Sequence, residues 1–429
     1  IAVGSEKPPR CERIALVCVE GVGTNESDGV RRHPCRIAQP TEHSGRDLRP
    51  RFRMIGPGGS GLRLAQVVQQ GGQTDDEWSP RRNTTAFDDY QLWPNYLRDI
   101  SAVDLRTTLL GQNIAWPVFL APTGMSRLFH HDAEPAVARA AQQFGTFYTL
   151  STMGTTRIEE IAAQGEGPWM FQIYILKDRG LTAEFVERCK AARFQALCLT
   201  VDTALAGNRE RDRVTGMALP PRFSLKSVAS FAAHPRWAFH LLKNPNFQLA
   251  NVVHRVGAMG TVSLIDYVNS QFDRTVTWDD VAWLVKQWGG PFVLKGIQSP
   301  ADARRAVEVG VTALMISNHG GRQLDAAPAP VDCVRPIRDA VGDALELIVD
   351  GGIRRGTHVI KALALGANAC SIGRGYLYGL AAGGQPGVAH ALGLLRSEVE
   401  RSLALLGCRR LDEIRPDHVG RVGGPAPLP

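Results

Sequence analysis

Residues 117–121 read PVFLA, an apolar run of the length of a short strand. Seven similar runs follow along the chain, and the stretches between them have the spacing of amphipathic helices, as at 301–309 and 356–365. Continuous rather than alternating hydrophobicity is typical of strands that are buried on both faces of a parallel sheet. The seven runs lie at residues 146–150, 169–174, 196–201, 291–295, 313–317, 345–349 and 369–373.

The number and spacing of these units indicate the fold. Eight strand–helix units between residues 117 and 379 match the roughly 250 residues of a (β/α)8 barrel. A doubly wound open sheet is the alternative, but it usually carries G-x-G-x-x-G at its first turn. The first turn here is Pro122-Thr123-Gly124-Met125. The sequence therefore predicts an α/β fold, a (β/α)8 TIM barrel.

The segments around the repeating units differ from them in texture. Residues 1–74 show little periodicity and predict an irregular, poorly ordered N-terminal extension. The barrel domain is expected at 75–418, followed by a tail at 419–429. A long insertion after the fourth strand, at about 208–277, is a candidate lid or docking element, because loops at this end of a barrel carry function.

Composition excludes several classes of protein. The chain has 429 residues, 44% hydrophobic and 21% charged, which argues against coiled coil and wholesale disorder. More than half of the net charge of +7 lies within residues 1–63, outside the predicted barrel, so no nucleic-acid partner is expected. The eight cysteines form no C-x-x-C and indicate a reducing, cytoplasmic location. We predict no secretory signal and no membrane span.

Glycine-rich turns follow the last two strands. They read Asp350-Gly351-Gly352-Ile353-Arg354-Arg355-Gly356 and Ile372-Gly373-Arg374-Gly375. Barrels commonly bind phosphate after these two strands, where backbone N–H groups face the anion. Arginine adds a bidentate donor. Tight turns with solvated arginines are the structural alternative, but the repetition on consecutive strands favours a phosphate site.

Polar residues close five of the strands, where barrel enzymes carry their catalytic groups. His319 ends strand six, is followed by two glycines that we expect to open space around it, and is a candidate for proton transfer. Lys295 follows an apolar run and needs a buried anionic partner. Asp202 could orient a protonated histidine and raise its basicity. Tyr174 and Asp350 complete the set. His130 and His131 lack a third ligand in a zinc-like pattern, so no metal site is predicted.

The chain resembles the FMN-dependent α-hydroxy-acid dehydrogenase/oxidase family, which includes glycolate oxidase, L-lactate dehydrogenase and mandelate dehydrogenase. The resemblance runs from about Asp75 to His418, and residues 317–325, SNHGGRQLD, look like the active-site signature of that family. Supporting matches are the segments at 121–124, 171–174, 199–202, 293–296 and 350–356.

The resemblance implies roles for single residues. His319 would be the general base, Asp202 its partner, and Lys295 would face the N1/O2 edge of the flavin. Tyr174, Arg209 and Arg322 would hold or polarise the substrate. The residues expected around the flavin ring are Pro122, Thr123, Gly124, Ser151, Gln172 and Thr200. Those expected at the ribityl and phosphate groups are Asp350, Gly352, Arg354, Gly373 and Arg374, and Ser317 and Gly351 are also expected to contact the cofactor.

The resemblance further implies oxidation of a lactate-like L-2-hydroxy acid, FMN as cofactor and a homotetramer. The insertion looks like that of the dehydrogenase branch, whose members often pass electrons to a quinone, which would bring the protein to the inner face of a membrane. Gly124, where glycolate oxidase has alanine, favours the same branch. An oxidase that releases hydrogen peroxide is the first alternative.

One feature departs from the family pattern. Family members carry a substrate-binding tyrosine shortly before a Gly-Gly pair, whereas Gly71-Gly72 here follows Val67-Val68-Gln69-Gln70. A second alternative is therefore an FMN-binding barrel of weak activity. Met153, where glycolate oxidase has a pocket tryptophan, leaves the size of the substrate open.

Overall fold

A closed barrel of eight parallel strands is the centre of the computed structural model, which describes residues 74–205, 207–210, 248–256, 267 and 270–425. The predicted TIM barrel is confirmed, and each barrel strand begins and ends within about two residues of its apolar run. The strands are β1 (Tyr90–Leu92), β2 (Thr107–Leu109), β3 (Gln112–Ile114), β4 (Val118–Thr123), β5 (Tyr148–Ser151), β6 (Trp169–Ile173), β7 (Ala196–Thr200), β8 (Phe292–Lys295), β9 (Ala313–Ser317), β10 (Glu346–Asp350), β11 (Ala369–Ile372) and β12 (Val419–Arg421).

The barrel closes between its first and last strands, with β4 pairing β11 in parallel. Its interior is filled by buried side chains near the strand starts, among them Phe119, Phe147 and Met170. Leu109 and Ile114 from the antiparallel β2–β3 hairpin belong to the same cluster and close the amino end of the barrel. The barrel is therefore a packed core, and only its carboxyl end is open for chemistry.

Helices cover the outside of the barrel. Helix α7 shows the local signals that start them, because Ser299 accepts the N–H of Asp302 and Pro300 occupies the first turn. The helices are α1 (Trp78–Thr85), α2 (Ala133–Gln143), α3 (Ile158–Ala162), α4 (Arg179–Ala191), α5 (Val253–Val256), α6 (Trp278–Trp288), α7 (Pro300–Glu308), α8 (Pro330–Val341), α9 (Gly356–Ala364) and α10 (Arg374–Leu406). Five short 3-10 helices lie at Ala86–Asp89, Ser126–Leu128, Gly342–Ala344, Leu411–Glu413 and Pro416–His418.

The ends of the described domain are joined to each other. β12, at the start of the predicted tail, pairs antiparallel with β1, with Leu92 opposite Val419 and Tyr90 opposite Arg421. All of the predicted extension at 1–74 except Thr74, and most of the predicted insertion, lie outside the described residues. Within the described part of the chain, no helix is both long and apolar enough to cross a membrane. Five described cysteines are free and buried, at positions 189, 198, 333, 370 and 408.

Candidate active site at the carboxyl end of the barrel

The loop after β9 holds His319 in an unusual backbone conformation. His319, Gly320 and Gly321 all have positive φ, at 56°, 66° and 74°. A Cβ on Gly321 would lie 2.4 Å from Cδ of Pro80 in α1. The two glycines therefore serve a left-handed turn packed against α1, and the expectation that they open space around the histidine is wrong for Gly321. A non-glycine residue in this region costs energy and is often functional.

His319 is paired with Asp202 across the barrel mouth. Nδ1 of His319 lies 2.9 Å from Oδ1 of Asp202. Asp202 lies two residues beyond the end of β7. Burial lowers the pKa of His319 below its ordinary value; Asp202 opposes this, while the charges of Lys295 and Arg322 lower the pKa further. The protonated histidine expected from sequence is thus disfavoured. At neutral pH the ring is neutral, donates from Nδ1 to the carboxylate, and keeps a lone pair on Nε2.

Asp202 itself is ionised. Burial raises its pKa, but the interaction with His319, which donates a hydrogen bond to it, and the charge of Lys295 outweigh burial and bring the pKa below the ordinary value. Its second oxygen, Oδ2, is buried without a hydrogen-bond partner. The carboxylate is therefore available to stabilise positive charge on the imidazole ring.

Lys295 is a buried cation at the end of β8. Its Nζ donates to Oγ of Ser317 at 3.1 Å and lies 3.3 Å from Oδ2 of Asp350, the anionic partner that the sequence required. Asp350 also accepts from Ser317 at 2.7 Å and from Ser371 at 2.5 Å. Burial opposes the charge on Lys295, but the carboxylates of Asp350 and Asp202 raise its pKa above the ordinary value. Lys295 is charged at neutral pH.

Tyr174 lies just beyond β6, where the charges of two arginines act on it. Burial, followed by the charge of Asp202, raises the pKa of Tyr174 to about 12, while Arg209 and Arg322 lower it. The hydroxyl is therefore a donor at neutral pH. Its ring packs edge-on against Phe272 at 5.0 Å between centroids. Nε of Arg209 is buried without a hydrogen-bond partner, so this guanidinium is a candidate for binding an anion.

A second group of cations lies at the turns after β10 and β11. Burial lowers the pKa of Arg374, and so does the charge of Arg354. Arg374 also donates to the carbonyl of Gly320 in the His319 loop. Gly351 and Gly352 have φ of 130° and 77°, and a Cβ on Gly352 would lie 1.8 Å from the carbonyl oxygen of Asn83. Two mutually repelling guanidinium groups beside glycine backbone are a candidate site for an anion.

The remaining predicted residues lie at the carboxyl ends of β4 to β7 and of β11. Ser151 donates to Oε1 of Gln172 at 3.0 Å, joining β5 to β6. Thr123 shares a 2.5 Å hydrogen bond with the hydroxyl of Tyr376. Thr200 is buried, and its Oγ1 has no partner. Pro122 and Gly124 belong to the end of β4 and the loop after it, while Gly373 precedes α10.

Sequence reasoning missed an amide pair beneath the His319 loop. Asn83 of α1 and Asn318 exchange two side-chain hydrogen bonds, each of 2.7 Å, and both residues are buried. Asp325 accepts the N–H groups of Trp78 and Ser79 at the start of α1. Asn318 and Asp325 stand inside the signature that was recognised, but nothing in the sequence near Asn83 pointed to this contact.

Among the described residues, one further polar group has metal-ligand chemistry. His130, His131 and Asp132 place one ligand atom each within 4.8 Å of one another. However, Nδ1 of His130 accepts the backbone N–H of Asp132 at 3.2 Å. The lone pair that faces the carboxylate is thus already engaged.

Known proteins share both the sequence and the fold. The family model described as FMN-dependent dehydrogenase matches residues 66–421. An L-lactate oxidase of Nostoc is 43% identical over 79% of this chain and 89% of its own length. An L-lactate dehydrogenase of Xanthomonas euvesicatoria is 40% identical over 81% of this chain and 89% of its own length.

A solved structure agrees with these sequence matches. The monotopic membrane protein (S)-mandelate dehydrogenase superposes with a TM-score of 0.81 at 31% identity, covering 86% of this chain and 100% of that one. The sequence resemblance is confirmed. The chain belongs to the FMN-dependent dehydrogenase family and is an FMN-dependent oxidoreductase.

Proposed function

We propose that this enzyme oxidises a lactate-like L-2-hydroxy acid to the 2-oxo acid, with His319 as the base. The observation that carries the proposal is the 2.9 Å pair between His319 and Asp202. This pair lies near the buried ammonium group of Lys295 and the guanidinium groups of Arg209 and Arg322. The charges of the two arginines act on Tyr174.

The residues present fit FMN. A phosphate between Arg354 and Arg374 would remove the repulsion that lowers the pKa of Arg374. Gly351 and Gly352 pack their turn against Asn83, and at Gly373 the absence of a side chain would let backbone N–H groups approach the phosphate. Oγ1 of Thr200, buried without a partner, would gain one from the polar edge of the flavin ring. Residues assigned to the ring are Pro122, Thr123, Gly124, Ser151, Gln172, Thr200, Lys295 and Ser317, and Asp350 joins those at the ribityl chain.

The side chains around Tyr174 define what the substrate must be. Arg209 and Arg322 would bind a carboxylate, since a guanidinium group matches its two oxygens. Tyr174 stays protonated, with a pKa of about 12, and would donate to an oxygen of the substrate. A small acid with an adjacent hydroxyl group satisfies all three side chains at once. The missing N-terminal tyrosine would cost roughly 1.5–3 kcal/mol of binding, the worth of one hydrogen bond to a charged group.

Proton transfer falls to His319. Nε2 of the neutral ring accepts the proton of the substrate hydroxyl, and Asp202 stabilises the imidazolium that forms. Lys295, held by Ser317 and Asp350, keeps a fixed positive charge beside the reacting centre. When bound, FMN supplies the acceptor for the two electrons and the second hydrogen that leave the substrate.

The electron acceptor after FMN is proposed to be a quinone or another non-oxygen acceptor. Support comes from Gly124 and from the likeness to (S)-mandelate dehydrogenase, a monotopic membrane protein. We therefore place the enzyme in the cytoplasm or peripherally at the inner face of the membrane, as a homotetramer. Oxygen is the second candidate acceptor, because the Nostoc relative is an L-lactate oxidase.

The test is an absorption spectrum of the FMN-loaded enzyme before and after anaerobic addition of L-lactate, glycolate or (S)-mandelate. We expect bleaching of the flavin band with at least one acid, and far faster recovery with a soluble quinone than with air. Equal or faster recovery in air, with hydrogen peroxide released, assigns oxygen as acceptor. Spectral silence with all three acids contradicts the proposed oxidation and favours the weakly active barrel.

A further inference from the structure

The side-chain amide of Gln323 makes three hydrogen bonds to backbone groups of the loop that follows β7. Its Nε2 donates to the carbonyl oxygens of Asp202 and Leu205, each at 2.7 Å. Its Oε1 accepts the backbone N–H of Gly207 at 3.2 Å. One amide thus uses both donors and its acceptor on the loop that follows β7, the loop that carries Asp202 and Arg209.

The two loops pack closely around this amide. A Cβ on Gly207 would lie 2.3 Å from the carbonyl oxygen of Arg322 and 3.0 Å from Cα of Gln323. On the other side, a Cβ on Gly296 would lie 2.8 Å from Cβ of Asp202. The backbone at Asp202 is therefore held between the end of β8 and the loop after β9.

The pair of His319 and Asp202 spans the same two loops, and its members are 117 positions apart in the sequence. Because the two residues are far apart in the sequence, their 2.9 Å contact depends on how the two loops are positioned relative to each other. On the His319 loop, Gln323 donates a hydrogen bond to the backbone carbonyl of Asp202 itself. We propose that Gln323 is a positioning residue that fixes Asp202 against His319. This inference rests on the proposed function, in which His319 is the base.

The consequence for His319 follows from the charges that face it. Asp202, on the loop after β7, favours the protonated ring, whereas Lys295 on β8 and Arg322 on the same loop as His319 disfavour it. If Asp202 withdraws, the two cations remain and the proton affinity of the ring falls. Loss of Gln323 therefore weakens the base and moves its titration to lower pH.

The experiment compares Q323M with D202N and the double variant, all loaded with FMN. Q323M removes every hydrogen bond of the amide at similar size. We expect kcat/KM to fall about tenfold or more, and the acid limb of its pH profile to move to lower pH. In the D202N background Q323M should cost less than about twofold, because residues that act as a unit are not additive. Q298M is the matched control, since Gln298 also donates to a backbone carbonyl, that of Pro328, but does not contact the Asp202 loop.

A second readout needs no turnover. NMR titration of the His319 ring, assigned with H319A, should show a lower pKa in Q323M than in the wild type and no change in Q298M. Losses that add in the double variant, or an unchanged titration of His319, would overturn the proposal. If Q323M does not fold, Q323S, which admits water to the same space, replaces it. A wild type that oxidises no 2-hydroxy acid defeats the proposed function, while the titration still decides the role of Gln323.

Discussion

Nζ of Lys295 lies 3.3 Å from Oδ2 of Asp350, and both side chains are buried at the mouth of the barrel. The two residues end different strands, β8 and β10, with Ser317 of β9 between them in hydrogen-bond contact with both. The positive charge of Lys295 is thus balanced by the carboxylate of Asp350, which lies beyond the intervening strand β9.

Replacing Lys295 should show how much the folded protein depends on this ion pair with Asp350. We expect K295M to lower the free energy of unfolding by about 3–5 kcal/mol, because it leaves the charge of Asp350 buried and unpaired. The double variant K295M/D350N should recover part of the loss. K286M, at an exposed position of α6, is the control and should change stability by less than about 0.5 kcal/mol. Urea unfolding of the FMN-saturated proteins measures all four; an equal loss in the double variant would argue against the pairing.

The barrel was predictable because its signal is local and repeated. Each of the eight apolar runs coincides with a strand, since a strand buried on both faces needs no polar residue. The candidate site followed from a topological rule: residues that end parallel strands of a barrel meet at one face. His319, Asp202, Lys295 and Asp350 were found in this way.

Other parts of the site could not be predicted, because they depend on contacts between distant segments. The pairing of Asn83 with Asn318 joins residues 235 positions apart, and neither side has a local pattern that requires it. The protonation of His319 depends on the balance between burial and three charges from three loops and strands. Sequence named Asp202 as the partner that raises basicity but could not weigh burial against it.

The pH dependence of turnover should follow the lowered pKa of His319. Only the neutral ring accepts a proton, so kcat/KM should fall as the pH drops through that pKa, below the ordinary value of about 6.5. D202N removes the one charge that raises this pKa. We therefore expect its acid limb at lower pH than in the wild type, together with a loss of kcat of about 100-fold or more. A limb that stays in place in D202N would contradict the role of Asp202.

A second histidine should control stability in acid. His358 of α9 stacks on Phe87 with ring centroids 4.3 Å apart, and burial lowers its pKa to about 4. Between pH 6.5 and 4 the unfolded chain therefore binds more protons at this position than the folded one. The free energy of unfolding should fall across this window, by about 3 kcal/mol from His358 alone.

Urea unfolding at pH 7 and pH 4.5 checks this difference. H358F keeps a flat ring against Phe87 and should lose much of the pH dependence that His358 contributes. H390F, at an exposed position of α10, should keep the full dependence of the wild type. Equal slopes for all three proteins would mean that the folded protein does not exclude the proton from His358.

Gly124 should not tolerate a methyl group while Met153 is present. A Cβ at this position would lie 2.9 Å from Cβ of Met153 and 3.4 Å from its carbonyl oxygen. We expect G124A to destabilise the protein by about 1–3 kcal/mol, the usual cost of overpacking, and to cost less in an M153G background, which removes the contacting Cβ. G383A is the control, because nothing lies within 4 Å of a Cβ there. Thermal unfolding measures the effect, and full tolerance of G124A alone would show that Met153 moves freely.

Arg354 allows the phosphate site to be tested separately from the ring site. The positive charge of its guanidinium group acts on Arg374. Cζ of Arg354 also lies 5.6 Å from the centroid of the Tyr378 ring. R354M removes one charged partner of a phosphate, so FMN should bind about 10- to 100-fold more weakly, as expected for a hydrogen bond to a charged group. Riboflavin has the same ring and ribityl chain but no phosphate, so its affinity should change by less than about twofold. Quenching of flavin fluorescence on titration into the cofactor-free protein measures both constants.

R355M is the matched control, because Arg355 pairs with Glu398 of α10 at 2.9 Å. If R354M weakens the binding of FMN and of riboflavin equally, Arg354 does not bind the phosphate, and Arg374 is the cation that does.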